Sequence, residues 1–217
     1  MFRDFKPSPI LNQLLALLLC TDVLLIAFHM LRWETSFFQG FRFAIWREGG
    51  IGELFQYQKE FWLGLVFLYV GLKRINPMFI MWSLIFFYLL ADDSLKWHET
   101  MGLIVANVTG LPSIFGLEPQ IQGQVVYAAG IGLIFFSVIA ALSWLRGRDA
   151  VNFSLRMFAL LGLFAVFAVV LDWVYHLTQG KTVHHYMATL EEGGEMLVLS
   201  VIVWFVLNSL QRELRPA

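Results

Sequence analysis

The chain has 217 residues, of which 59% are hydrophobic and 14% are charged, and its formal net charge is −1. Soluble domains carry about 25% charged residues, so this composition excludes an ordinary soluble domain. The balanced charge gives no reason to expect a nucleic-acid partner. The long apolar runs instead predict an all-α, polytopic transmembrane bundle of about six spans in one domain, residues 1–217. Because Cys20 is the single cysteine, neither an intrachain disulfide nor a thiolate metal site is expected.

The six predicted spans are joined by connections of very different length. The first two are separated by residues 34–60, which mix aromatic with polar residues and predict an interfacial segment, with the second helix beginning near Ile51. Residues 100–124 contain glycine and proline and predict a semi-polar connection between the third and fourth spans. The spans cover about residues 10–30, 51–71, 75–91, 125–145, 153–175 and 184–210.

Positive charges indicate the orientation of the bundle. Short basic turns follow the second and fourth spans, at residues 73–74 and 146–148. On the opposite side, basic residues such as Lys59 are spread over much longer connections. Because short loops rich in lysine and arginine stay in the cytoplasm, both termini are predicted to be cytoplasmic. The opposite ends of the helices then face the periplasm or the exterior.

Three polar clusters lie at ends of apolar spans, and this topology places all three at the outer membrane boundary. Residues 92–99 follow the third span, and if that helix continues, Asp92 and Glu99 share a face because they are seven residues apart. Residues 172–176 end the fifth span, and residues 191–195 lie near the start of the sixth. Acids and imidazoles at membrane depth are costly, which makes these clusters the candidate functional site.

The residue types in these clusters predict a metal site near the extracytoplasmic face. Carboxylates and imidazoles on facing helices are the ligands with which helical bundles hold iron or manganese. Oxygen and nitrogen ligands without thiolate favour Fe, Mn or Zn, as one or two ions. The predicted ligands are Asp92, Glu99, Asp172, His176, Glu192 and Glu195. Secondary candidates are Asp93, Glu191, His29, His184 and His185. His98 is predicted to be a ligand or the catalytic proton carrier.

A structural alternative exists for the same acids. They could pair with basic side chains at the same boundary and cap helix ends. The basic candidates are Lys96, Lys181, Arg42 and Arg47. For Asp22, which falls near the middle of the first span, the favoured interpretation is a protonated acid or one hydrogen-bonded to a neighbouring helix, rather than a catalytic group.

The sequence is compatible with three functions, and only the first of them is enzymatic. The first is a metal-dependent enzyme that activates water or dioxygen and acts on a lipid or another apolar substrate. The second is a cation or proton transporter, which requires a polar route that the inner halves of the spans offer only sparsely. The third is an accessory subunit of a larger membrane complex. Membrane lipids are the expected surroundings, with a homo-oligomer or complex partners possible.

Two motifs are similar to those of a family of bacterial multi-pass membrane proteins without an established activity. Asp92-Asp93 followed by His98-Glu99 resembles the family's Asp-[Asp/Glu]-x4-His-Glu, and residues 191–195 resemble its Glu-Glu-x2-Glu. The resemblance covers most of the chain. It implies an integral protein of the bacterial inner membrane and supplies no reaction to transfer.

Overall fold

The computed structural model describes residues 7–35, 44–45, 49–113, 118–171, 174 and 181–214, without the side chains of residues 33, 34, 181, 182, 184 and 212. These ranges are helical except for short turns. The helices are α1 Pro9–Glu34, α2 Ile51–Lys73, α3 Pro77–Leu95, α4 Trp97–Thr109, α5 Pro119–Arg146, α6 Arg148–Ala165 with a π-helical end Val166–Leu171, and α7 Lys181–Leu214.

Five of these helices, α1, α3, α5, α6 and α7, are long and apolar enough to cross a membrane. The second predicted span corresponds to α2, which begins at Ile51 as expected and has 23 residues. At helical rise α2 is roughly 34 Å long, which matches a bilayer core of about 30 Å. It carries four charged residues, however, and two of them, Lys59 and Glu60, are fully buried. The prediction of an all-α polytopic bundle is confirmed.

Helix α7 lies at the centre of the bundle. In its most apolar stretch 67% of the residues are buried, against 6% in α5, so α7 belongs to the interior and α5 to the periphery. Helix α7 packs against α1, α2 and α6, while α2 pairs with α3 and α4 pairs with α5. A site formed where α2, α3 and α7 meet therefore borders the interior helix of the bundle.

The pairing of α2 with α3 sets which of their residues face each other. The Asn76 side chain accepts a hydrogen bond from the Met78 N–H at 3.1 Å and starts α3, with proline at its first position. Farther along, the Ser83 hydroxyl donates to the Gly64 carbonyl at 2.8 Å, and the Phe87 ring packs where a Gly64 side chain would stand. One turn before Gly64, Glu60 is brought to the last turn of α3.

An aromatic core fills the space next to this pairing. The Phe67 ring lies 5.7 Å from Phe86 and 6.1 Å from Phe79, measured between ring centroids, and Phe153 packs edge-on against both Phe67 and Phe79. All four rings are buried. This core is apolar throughout, so it separates the polar end of α2 and α3 from the opposite end of the bundle.

Helix α3 does not continue through residue 99, so the condition under which Asp92 and Glu99 would share a face is not met. Lys96 takes the left-handed conformation (φ 53°, ψ 41°), its N–H closes the last turn of α3 on Asp92, and α4 begins at Trp97. Asp92 and Glu99 therefore belong to different helices. The unfavourable backbone of Lys96 is offset by contacts of α4, because the Trp97 ring packs 6.4 Å from Tyr88 and His98 pairs with Asp92.

The connection predicted over residues 100–124 is also more ordered than expected. Its first half is α4, which ends at Gly110 (φ 64°), and α5 already begins at Pro119. Helices α4 and α5 touch through Gly102 and Gly123, and a side chain at Gly123 would collide with the Gly102 carbonyl. Small residues that let helices approach closely fix the position of α4, and with it the position of His98.

Candidate metal centre

The break after α3 brings three potential metal ligands together. Asp92 and Asp93 lie in the last turn of α3, and His98 lies in the first turn of α4. One ligand atom from each residue lies within 4.8 Å of the ligand atoms of the other two. His98 Nδ1 is 3.3 Å from Asp92 Oδ2, and all three side chains are partly buried. We call these three residues the acid–histidine triad.

Tyrosines hold the first carboxylate of the triad in place. The Tyr88 hydroxyl, one turn before Asp92, donates to Asp92 Oδ1 at 3.3 Å. The same hydroxyl lies 3.0 Å from the hydroxyl of Tyr127 on α5. Groups that orient a ligand in this way restrict its rotamers and its position. Asp92 is thereby held by a side chain of its own helix, which in turn contacts α5 through Tyr127.

Glu60 of α2 adds a carboxyl group that the sequence analysis did not select. Its side chain is fully buried and contacts the carboxyl group of Asp93. Neither Glu60 oxygen has a hydrogen-bond donor among the described residues. Two carboxyl groups in contact, one of them fully buried, need a shared proton or a cation between them. In the sequence, Glu53, Gln56 and Glu60 recur at helical spacing and form one polar face of α2. This polar face is the sequence signal that indicates a buried role for Glu60.

Helix α7 contributes a further acid to the same region. Gln56 of α2 donates a hydrogen bond from Nε2 to Glu195 Oε2 at 3.1 Å. Glu195 also interacts electrostatically with Asp93 and with its helix neighbours Glu191 and Glu192. The structure therefore brings acids of the third and sixth predicted spans to one place, although Glu195 is not part of the acid–histidine triad.

The other predicted ligands are placed differently. Glu99 is 43% exposed and its nearest cation is Lys96, at 3.9 Å, so it takes the surface pairing of the structural alternative. The His29 and His185 rings pack at a tilt of 40° with centroids 4.7 Å apart, and Ile45 N–H donates to His29 Nδ1 at 3.3 Å. Neither histidine joins the acid–histidine triad. Outside the described residues and side chains lie Asp172, His176, His184, Lys181, Arg42 and Arg47.

A buried ion pair lies on a different face of α2. Lys59 Nζ is 2.6 Å from Asp22 Oδ1 and also donates to the Met196 carbonyl at 2.8 Å. The Ser200 hydroxyl donates to the second Asp22 oxygen at 2.5 Å. The prediction that Asp22 bonds to a neighbouring helix is confirmed, but placing Lys59 in an outer connection was wrong. A helix beginning at Ile51 carries Lys59 into the bundle, where it needs a counterion.

The triad alters the protonation of its histidine, which lies outside the membrane-spanning helices. The hydrogen bond to Asp92 raises the pKa of His98, and the charges of Asp93 and Glu99 act in the same direction against the effect of burial. The metal-free site therefore keeps a proton on His98 to a higher pH than an exposed histidine would. A metal ion that binds there must displace that proton.

Comparison with known proteins gives a family and no described relative. No curated protein and no solved structure matches the chain. One protein family, described as "Domain of unknown function (DUF8692)", matches residues 16–209. The match extends from α1 to α7 and includes the acid–histidine triad, Glu60 and Glu195. The chain belongs to this family.

Proposed function

We propose that the protein is an integral membrane metalloprotein whose metal ion is bound by the acid–histidine triad. The observation that carries this proposal is the 4.8 Å limit on the distances between the ligand atoms of Asp92, Asp93 and His98. An ion about 2.0–2.2 Å from each atom needs separations of up to roughly 4.4 Å. Movements of a few tenths of an ångström in these side chains would complete the site.

The ligand types favour a borderline or hard transition metal. Two carboxylates and one imidazole suit Fe, Mn or Zn, whereas a softer ion would prefer the thiolate that this region lacks. Three protein ligands leave coordination positions open for a water molecule or a substrate, as in catalytic metal sites. We infer that the ion activates water or dioxygen on a lipid or another apolar substrate that reaches the site from the bilayer.

A transport function receives less support from the packing. A cation or proton crossing the bundle needs polar groups at successive depths, and beyond the Asp22–Lys59 pair the space next to α2 and α3 is filled by buried aromatic rings. The rings of Phe79 and Phe86 each stack on the Phe67 ring there. The arrangement favours a site that opens to one side over a path through the membrane.

Metal analysis of the detergent-purified protein tests the proposal. After reconstitution with Fe, Mn or Zn and removal of excess metal, we expect the wild type to retain at least about one equivalent. Asp92→Asn and His98→Gln each remove a ligand and should lower this content severalfold. Glu99→Gln is the matched control, because it removes an exposed acid in the same turn as His98, and it should retain the metal. A wild type that retains less than about a tenth of an equivalent of each metal would refute the proposal.

A further inference from the structure

We propose a second cation-binding position beside the acid–histidine triad, formed by Glu60 of α2, Asp93 of α3 and Glu195 of α7, with Asp93 shared between the two ions. This inference rests on the proposed function, because it makes the triad one half of a dinuclear centre. It extends that function by assigning a role to a buried acid that the triad does not use.

Glu60 is the observation that points to a ligand. Its carboxyl group is fully buried, lies within hydrogen-bonding reach of the Asp93 carboxyl group, and receives no hydrogen bond from any other described residue. The adjacent Lys59 is already held by Asp22 at 2.6 Å and by the Met196 carbonyl at 2.8 Å. An unpaired buried acid next to another acid is a costly arrangement that a bound cation would relieve.

The charge around Glu60 exceeds what one ion compensates. An ion bound by Asp92, Asp93 and His98 would leave Glu60 and Glu195 without a contacting cation, since the nearby Lys59, whose charge also acts on Glu60, is paired with Asp22. Among the described side chains, no lysine or arginine nitrogen lies within 4.0 Å of the carboxyl groups of Glu60, Asp93 or Glu195. Further acids interact with these groups, namely Glu53, Glu191 and Glu192. A second divalent cation brings the cluster closer to neutrality.

The three proposed ligands come from three helices that meet at this end of the bundle. The α2–α3 pairing places Glu60 against Asp93, and the Gln56–Glu195 hydrogen bond of 3.1 Å holds the α7 carboxylate against α2 one turn before Glu60. Facing helices that each contribute a carboxylate are the usual architecture of dinuclear sites in bundles. Because this position has oxygen ligands and no imidazole, it favours a harder ion such as Mn²⁺ or Mg²⁺.

Manganese stoichiometry and electron paramagnetic resonance test the second position. The wild-type protein reconstituted with Mn²⁺ should retain about two equivalents and show the signal of two coupled ions, since ions sharing one carboxylate lie about 3.5–4 Å apart. Glu60→Gln keeps the size of the side chain and removes its charge. It should retain about one equivalent and show an uncoupled six-line signal, because the triad remains. Glu99→Gln, outside the proposed position, should keep the coupled pair.

Each result decides a different point. About one equivalent in both the wild type and Glu60→Gln, or two ions without coupling, overturns the second position and leaves the proposed function standing. No bound metal in the wild type overturns both. If Glu60→Gln does not fold, the coupled signal of the wild type still decides whether two ions share the site.

Discussion

The buried Asp22–Lys59 pair offers a quantitative test of the packing between α1, α2 and α7. Both side chains are fully buried, and Lys59 Nζ has two acceptors, Asp22 Oδ1 at 2.6 Å and the Met196 carbonyl at 2.8 Å. Replacing one partner of such a pair leaves the other charge unpaired, which costs about 3–5 kcal/mol. We therefore expect Lys59→Met to lower the free energy of unfolding by this amount.

The double variant separates the pair from its surroundings. Asp22→Leu together with Lys59→Met removes both charges, and apolar replacements of a buried pair are often neutral, or stabilising by about 1–4 kcal/mol. The free energy of unfolding should then fall by less than in Lys59→Met alone. The loss that remains comes from the Ser200 hydroxyl, which donates to Asp22 in the wild type and has no acceptor there in the double variant. Unfolding in mixed micelles, followed by circular dichroism for the wild type, both single variants and the double variant, gives the coupling energy. Additive losses in the two single variants would show that the charges do not interact as the structure places them.

Three further outcomes follow from the site and its supports. A chelator should lower the melting temperature of the wild type, because removing the ion leaves adjacent carboxylates uncompensated, and it should have little effect on Asp92→Asn. Metal affinity, measured by competition with a fluorescent chelator, should rise with pH until the pH exceeds the raised pKa of His98, because a protonated ring cannot bind metal. An affinity that stays constant from about pH 5 upward would contradict this prediction. Gly123→Ala should destabilise the protein by about 2 kcal/mol or more and weaken metal binding, since the new methyl group collides with Gly102 and displaces α4. Gly130→Ala, in the same helix with open space around it, is the matched control and should not destabilise.

The helices were predictable because a long apolar run has few other ways to form hydrogen bonds with all its backbone N–H and C=O groups. In hydrocarbon every N–H and C=O must bond within the segment, so a run near the length of the bilayer forms a helix whatever its neighbours are. This is why α2 begins at Ile51 and α7 covers the sixth predicted span. The same reasoning placed the acids of the third and sixth spans at one end of the bundle, where the structure finds Asp93 and Glu195 interacting.

The ligand set was less predictable, because it depends on a break with no local signal. No glycine or proline lies close to Lys96 in the sequence, and the left-handed turn there is stabilised by tertiary contacts. The close contact of α4 with α5 at Gly123 is one of these contacts. A continuous helix would have paired Asp92 with Glu99, whereas the break turns His98 back onto Asp92. Side-chain periodicity cannot reveal a change in helix direction that tertiary contacts impose.

Helix α2 shows why two neighbouring charges have separate roles. Successive residues of a helix point about 100° apart, so Lys59 and Glu60 face different partners although they are adjacent. Lys59 is turned toward α1 and α7, where Asp22 neutralises it, and Glu60 is turned toward α3, where it meets Asp93. The Asp22–Lys59 pair carries no net charge, so it leaves the net negative charge of the acid cluster unchanged, although the Lys59 ammonium also attracts the Glu60 carboxylate. The excess negative charge at the end of α3 therefore requires bound protons or cations, and metal stoichiometry distinguishes between them.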